Sequence, residues 1–234
     1  MKDPRATATR ATNARLRRRV LVVDDHPIVR HGFALLINRA PDLIVCGEAH
    51  DAPSATRAIV SLRPDLVILD ISLGGPDGLE LLKQIRTLMT DLPVLVVSMH
   101  DEMIYAERVL RAGGNGYVMK HEATDRMLIA IRRILEGQVY VPDRIASRLL
   151  RQCAHTSTAA APSPLATLSD RELEVFRLIG AGRSTRQIAE LLHVSVKTVE
   201  SYQAHIKEKL ELSSARELQY HAIELAVREN AGYP

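Results

Sequence analysis

Asp24-Asp25, Asp70, Ser98 and Lys120 each close a short apolar run in the first half of the chain. The runs are Val20-Leu21-Val22-Val23, Leu66-Val67-Ile68-Leu69, Val94-Leu95-Val96-Val97 and Tyr117-Val118-Met119. If they are parallel strands, three carboxylates, a hydroxyl and an ammonium collect at one sheet edge, where open α/β sheets place their ligands. Carboxylates crowded in this way repel and hold their protons unless a cation neutralises them. Oxygen ligation of that kind suits magnesium or manganese and leaves positions open for phosphate oxygens. Asp70 ends the central run and is the best-placed nucleophile: a carboxylate can accept a phosphoryl group as an acyl phosphate, with Lys120 offsetting charge and Ser98 donating a hydrogen bond. Taken singly, each residue has a plainer reading, Asp or Ser as a helix N-cap and Lys as a solvated strand end. The joint spacing favours the chemistry.

These residues must be positioned by regular elements. From Val20 to about Gly137 short β-type runs alternate with amphipathic segments, the pattern of βαβ units and a parallel sheet covered by helices on both faces. The spacing predicts strands near 20–24, 43–48, 66–70, 94–98 and 116–119 and helices near 27–39, 53–62, 78–88, 102–112 and 123–136, with Pro64, Pro93 and the glycines from 113 to 116 as boundaries. An amphipathic stretch at 143–152 carries Ile145, Leu149 and Leu150, and the Ala/Ser/Thr/Pro-rich residues 156–164 have linker composition. Only helices follow, near 170–180, 185–192, 196–210 and 214–229. Three open on a Ser-x-x-Glu/Gln capping box: Ser169 with Glu172, Ser184 with Gln187, and Ser214 with Glu217. The expected division is a basic disordered tail over 1–18, an α/β domain over 19–137, a linker with a short helix over 138–164, and an all-α domain over 165–234.

The net charge of +3 on 234 residues conceals an uneven distribution. Residues 1–19 carry +6, 20–140 carry −4, 141–164 carry +2 and 165–234 carry −1. The helical domain is thus not basic as a whole, and any nucleic-acid reading must rest on where its charges sit. No apolar run is long enough to cross a bilayer, and the Arg-rich start lacks the apolar segment of a secretory signal. The expectation is a soluble, cytoplasmic protein with no membrane partner. Cys46 and Cys153 are too far apart in sequence to suggest a metal spacing or a disulfide framework.

The joint spacing of Asp24-Asp25, Asp70, Ser98 and Lys120 resembles the receiver domain of bacterial two-component response regulators over roughly residues 19–137. The resemblance implies a five-stranded parallel sheet in the flavodoxin-like order 2-1-3-4-5. It also implies a magnesium ion held by Asp24, Asp25, Asp70 and the backbone carbonyl of Ser72, and phosphorylation of Asp70 by a sensor histidine kinase. Ser98 and Tyr117 would form the switch pair, the hydroxyl moving toward the phosphoryl group as the ring turns inward. One departure stands out: Gly74 is the fourth residue after Asp70, where the family commonly has proline, and glycine loosens that loop.

Beyond the linker, Leu168-Ser169-Asp170-Arg171-Glu172, Ile188-Ala189, Val194-Ser195, Thr198-Val199 and Ile206 with Lys209-Leu210 resemble the LuxR-type helix-turn-helix of the NarL/FixJ class. Independently, segments 185–192 and 196–210 joined by a three-residue turn have the lengths of a helix-turn-helix whose second helix enters the major groove. At about 100° per residue, Val199, Tyr202, Gln203, Ile206 and Leu210 share its core side. Lys197, Glu200, Ser201, Ala204 and Glu208 then face outward, placed to meet base edges, with Lys197 and Glu200 the first choices for reading guanine and cytosine. Thr198 joins this expected DNA-contacting set, and Ser184, His205, Lys207 and Lys209 are placed to meet phosphates. In the last helix Leu218, Ala222 and Leu225 form an apolar stripe beside a second one of Ile223, Ala226 and Val227. The resemblance assigns the first stripe to a homodimer contact that would strengthen weak binding to promoter DNA; a wide core stripe is the other reading.

These features point to a phosphorylation-switched transcription factor, not a turnover enzyme. A magnesium-dependent phosphatase with an aspartyl-phosphate intermediate is the competing enzyme class. Enzymes of the haloacid-dehalogenase type need a second acidic residue two positions after the nucleophile, and here that position is Ser72. A regulator acting through protein contacts alone is the third reading.

Overall fold

The computed structural model describes residues 17–73, 78–154 and 164–231. Most of the expected basic tail, Gly74, the Ala/Ser/Thr/Pro-rich linker residues 155–163 and the side chain of Cys153 lie outside the described residues.

Five strands, β1 (Arg18–Val23), β2 (Leu43–Ala49), β3 (Leu66–Leu69), β4 (Val94–Ser98) and β5 (Gly116–Met119), form one parallel sheet in the order β2-β1-β3-β4-β5. The helices between and after them are α1 (Pro27–Arg39), α2 (Ala52–Leu62), α3 (Gly78–Leu88), α4 (Glu102–Arg111) and α5 (Ala123–Leu135). Strand side chains alternate between two apolar layers. Val20, Val22, Leu66, Ile68, Leu95, Val97 and Val118 pack with Ile37 of α1 and Met127, Ala130, Ile131 and Ile134 of α5. Leu21, Val23, Val67, Leu69, Val94, Val96 and Tyr117 pack with α2, α3 and α4 on the other face. Burial on both faces is why these strands read as unbroken apolar runs.

The sheet begins earlier than expected. Arg18 lies in β1, where its backbone N–H donates to Asp42 O, and Arg19 is pinned through its backbone to Asp65 Oδ2 (2.7 Å) and through its guanidinium to Leu62 O (2.9 Å). Arg17 donates to Pro41 O. The described end of the basic segment is therefore part of the α/β fold. Past the expected boundary at Gly137 the chain still touches the sheet, with Tyr117 N–H donating to Tyr140 O and Tyr140 N–H to Asn115 O at a bridge beside β5. Helix α6 (Asp143–Ala154) follows and rests on α4, with Ile145 buried and Arg148 donating to Met103 O; Leu150 is exposed.

The C-terminal domain comprises α7 (Asp170–Gly180), α8 (Thr185–Leu191), α9 (Val196–Lys209) and α10 (Ala215–Ala231). The boxes at Ser169/Glu172 and Ser184/Gln187 close as expected, and Ser195 caps α9. The last differs: Ser214 Oγ accepts from Glu217 N–H, but the Glu217 carboxylate accepts from Ser213 instead of from Ser214. Gly180, the last residue of α7, is required by packing, because a Cβ there would lie 2.2 Å from Ala222 O: α7 and α10 cross in direct backbone contact. The apolar cluster of the α2–α4 face continues without a break into Leu168, Leu173, Val175, Phe176 and Ile179.

Candidate functional site

The carboxyl ends of β1, β3 and β5 bring the predicted residues together. Asp24 and Asp70 are both about 1% exposed, and Lys120 Nζ sits between them, 2.8 Å from Asp24 Oδ2 and 2.7 Å from Asp70 Oδ2. Asp70 Oδ1 accepts from Ser72 N–H at 3.1 Å, and Asp24 Oδ1 from His26 N–H at 2.8 Å, so each carboxylate is oriented by its own loop. Half-buried Asp25 receives His26 Nδ1 at 2.6 Å. Ligand atoms of Asp24, Asp25, His26 and Asp70 lie within 4.8 Å of one another. Gly78 lets α3 abut this loop: a Cβ there would lie 2.5 Å from Asp70 O and 2.6 Å from Ile71 Cα.

The electrostatics follow from burial. Desolvation pushes the Asp70 carboxyl above its ordinary range and outweighs the pull of Lys120, while nearby Asp24 adds to the rise. Desolvation draws the Lys120 ammonium down, but its contacts with Asp70 and Asp24 overcome that and raise it. Three carboxylates against one ammonium leave surplus negative charge in an oxygen-rich cluster, which fits a hard divalent cation.

Ser98 ends β4 fully buried, and its Oγ accepts from His100 N–H at 3.2 Å. Tyr117 is already turned inward, with no exposed surface and its hydroxyl donating to His100 O at 2.6 Å. His100 went unnoticed in the sequence; its signal was only its place two residues after Ser98.

In the helical domain, Val199 and Ile206 are buried as the helical phase requires, and Lys197, Glu200, Ser201, Ala204 and His205 are exposed along α9. Thr198 and Lys207 are partly exposed, and the exposed Ser184 uses its hydroxyl as a cap. Lys209, exposed on α9, also places its Nζ 2.6 Å from buried Glu172, with His205 Nδ1 3.9 Å from the same carboxylate, so it ties α9 to α7. One expectation needs correction. Leu218, Ala222 and Leu225 are buried against α7 and cannot face a partner; among the described side chains of α10 the exposed large apolar residues are Tyr220, Ile223 and Val227. Helical periodicity showed two stripes but not which one α7 covers. Arg183 and Arg186, exposed on either side of the Ser184 cap, were also overlooked, although their spacing about an N-cap was available as a signal.

A doubly wound parallel sheet with lysine-bridged carboxylates at its carboxyl edge, followed by a helix-turn-helix, defines a receiver joined to a DNA-binding domain. The response regulator receiver domain family matches residues 20–132, and the luxR family of bacterial regulatory proteins matches residues 166–222. The oxygen regulatory protein NreC of Staphylococcus epidermidis is 34% identical over 216 residues, 90% of this chain and 99% of that protein. Among solved structures, RcsB of Salmonella typhimurium aligns at a TM-score of 0.70 and 26% identity over 89% of this chain and 98% of that one. RcsB of Salmonella enterica serovar Typhimurium bound to promoter rprA in the presence of the phosphomimetic BeF3- aligns at 0.67 and 27% identity over 88% and 98%. The chain belongs to the two-component response regulators with a LuxR-type DNA-binding domain, and it is a phosphorylation-regulated transcription regulator, not a small-substrate enzyme. Among the described residues no helix is long and apolar enough to cross a membrane.

Proposed function

We propose that Asp70 is the phosphoacceptor and that a sensor histidine kinase in the cytoplasm supplies the phosphoryl group. An Asp70 Oδ attacks phosphorus as the P–N bond of the kinase phosphohistidine breaks. The electron pair of that bond stays on the imidazole nitrogen, which takes a proton from water, and the product is an acyl phosphate on Asp70. Asp24, Asp25, Asp70 and the Ser72 carbonyl would hold Mg2+, with Mn2+ a substitute; when bound, the ion neutralises charge on the transferring oxygens. Lys120 holds Asp70 in place beforehand and meets the phosphoryl oxygens afterwards, and Ser98 donates to one of them. Tyr117 keeps the space behind Ser98 filled once the hydroxyl moves. Water ends the state by hydrolysing the acyl phosphate. The observation that carries this reading is the largely buried Lys120 ammonium lying between two buried carboxylates, 2.7 and 2.8 Å away.

For output, α9 enters the major groove of promoter DNA with Lys197, Thr198, Glu200, Ser201 and Ala204 toward base edges. Ser184, His205, Lys207, Arg183 and Arg186 flank it near the backbone phosphates. The local domain is close to neutral, so pairing of two copies is needed for strong binding. The exposed stripe of Tyr220, Ile223 and Val227 is the surface we assign to that contact. Acetyl phosphate with Mg2+ tests the acceptor. Stoichiometric labelling that Asp70→Asn abolishes, together with tighter promoter binding by the labelled protein, is the expected result. Labelling that survives Asp70→Asn refutes the assignment.

A further inference from the structure

His100 joins three parts of the receiver to one another. Its N–H donates to Ser98 Oγ, its carbonyl accepts from the Tyr117 hydroxyl, and its Nε2 shares a 2.6 Å hydrogen bond with Ser72 Oγ on the acceptor loop. His100 is 6% exposed, and its ring lies against that of Tyr105 of α4, centroids 5.0 Å apart and planes tilted by 34°. Tyr105 in turn lies at the border with the DNA-binding domain, its ring 5.7 Å from the Arg177 guanidinium of α7. A cavity of about 330 Å³ spans the same border, with Asp25, His26 and Ser72 on the receiver side and Leu173, Glu174 and Arg177 on the other. The first turn of α7 is anchored separately: Asp170 receives Lys83 at 2.8 Å and Arg108 at 2.9 Å, and Arg108 also donates to Leu165 O and Leu168 O.

We infer that His100 is the positioning residue that couples the acceptor site to the seat of the DNA-binding domain, through Ser72 on one side and Tyr105 and Arg177 on the other. The inference rests on the proposal that Asp70 is phosphorylated and extends it to how that event is read. His100 is tied through its ring to Ser72 and through its backbone N–H to Ser98, and the same ring lies against Tyr105, so a displacement of either serine is passed through His100 to Tyr105. Tyr105 is the surface on which Arg177 lies. The element biased from both ends is the docking of α7 on α4, held by contacts whose rearrangement at Tyr105 alters its equilibrium.

Hydrogen exchange of the full chain, with and without acetyl phosphate and Mg2+, tests this, with phosphoryl incorporation followed in parallel by intact mass. In the wild type, incorporation should raise exchange along α7 by roughly 5- to 150-fold, the span of ordinary coupling free energies. His100→Ala and Tyr105→Leu should both accept the phosphoryl group on Asp70 and leave α7 exchange unchanged between the two conditions. The change on loading, unlike the basal level, is not moved by a merely structural defect. If His100→Ala proves unstable, Tyr105→Leu carries the test alone, since it keeps side-chain bulk and leaves the Ser72 bond in place. A wild-type-sized response to loading in either folded variant overturns the role of His100. Failure of the wild type to incorporate phosphate overturns the acceptor assignment instead, and the two failures are told apart by the mass measurement.

Discussion

Replacing Gly180 by alanine sets two effects of known size against each other. In an exposed helix the change would stabilise, because glycine costs about 1 kcal/mol relative to alanine through its extra backbone freedom. Here the added Cβ would lie 2.2 Å from Ala222 O and 2.8 Å from its carbonyl carbon, with the Ala226 Cβ at 3.3 Å. The nearest atoms are backbone of α10, so nothing can rotate aside, and the helices must separate by at least about 0.8 Å to reach the 3.0 Å floor of real Cβ contacts. Forcing a methyl into a packed contact costs typically about 1–3 kcal/mol, and separating α7 from α10 also loosens the burial of Leu218, Ala222 and Leu225. With the loosened burial added the clash wins, leaving a net loss of up to about 2 kcal/mol. For a domain of this size each kcal/mol moves the midpoint by about 4–8 °C, so the unfolding transition of the DNA-binding domain should fall by up to about 15 °C while the receiver transition stays in place. Calorimetry of the full chain resolves the two. A DNA-binding-domain transition that is unchanged or higher in Gly180→Ala would refute the direct crossing of α7 and α10.

Four further outcomes follow from particular contacts. Lys120→Met leaves Asp24 and Asp70 buried without their cation and should cost about 3–5 kcal/mol in urea unfolding of the metal-free protein, partly recovered by Mg2+; an unchanged midpoint would contradict the bridging geometry. Because burial raises the Asp70 carboxyl, its folded-state midpoint lies above the ordinary 3.8. That group therefore favours the folded metal-free receiver below the ordinary value and disfavours it as pH rises through the raised midpoint, and Mg2+ should lower the midpoint. Carboxyl-carbon NMR titration checks both directions. Lys207→Ala should lower the salt dependence of promoter binding by about one counterion, whereas Lys209→Ala should leave the salt slope alone and destabilise the domain by loss of its contact with Glu172. Leu218→Glu should unfold the DNA-binding domain and Ile223→Glu should leave it folded but unable to pair, as circular dichroism and sedimentation would distinguish.

The carboxylate–lysine cluster was legible from local pattern. Each strand residue that matters follows an unbroken apolar run, a parallel sheet aligns the ends of such runs, and the order of the strands obeys general crossover rules, so Asp24, Asp70, Ser98 and Lys120 had to meet at one edge. Two of the three capping boxes and the buried side of α9 were readable for the same reason: they depend on residues three or four apart. Contacts between distant segments left no such trace. Asp170 meets Arg108 across 62 residues and Lys209 meets Glu172 across 37, and a charged side chain looks the same in sequence whether it faces DNA or another helix. The two stripes of α10 were equally apolar, and the approach of α7 at Gly180 chose between them. His100 is the extreme case. Ser72 and Tyr105 meet its imidazole and Tyr117 its backbone carbonyl, and folding alone brings these three separate segments to one residue. Periodicity and spacing encode what backbone geometry repeats locally, while docking between elements is set by the shapes of surfaces that exist only once the chain has closed on itself.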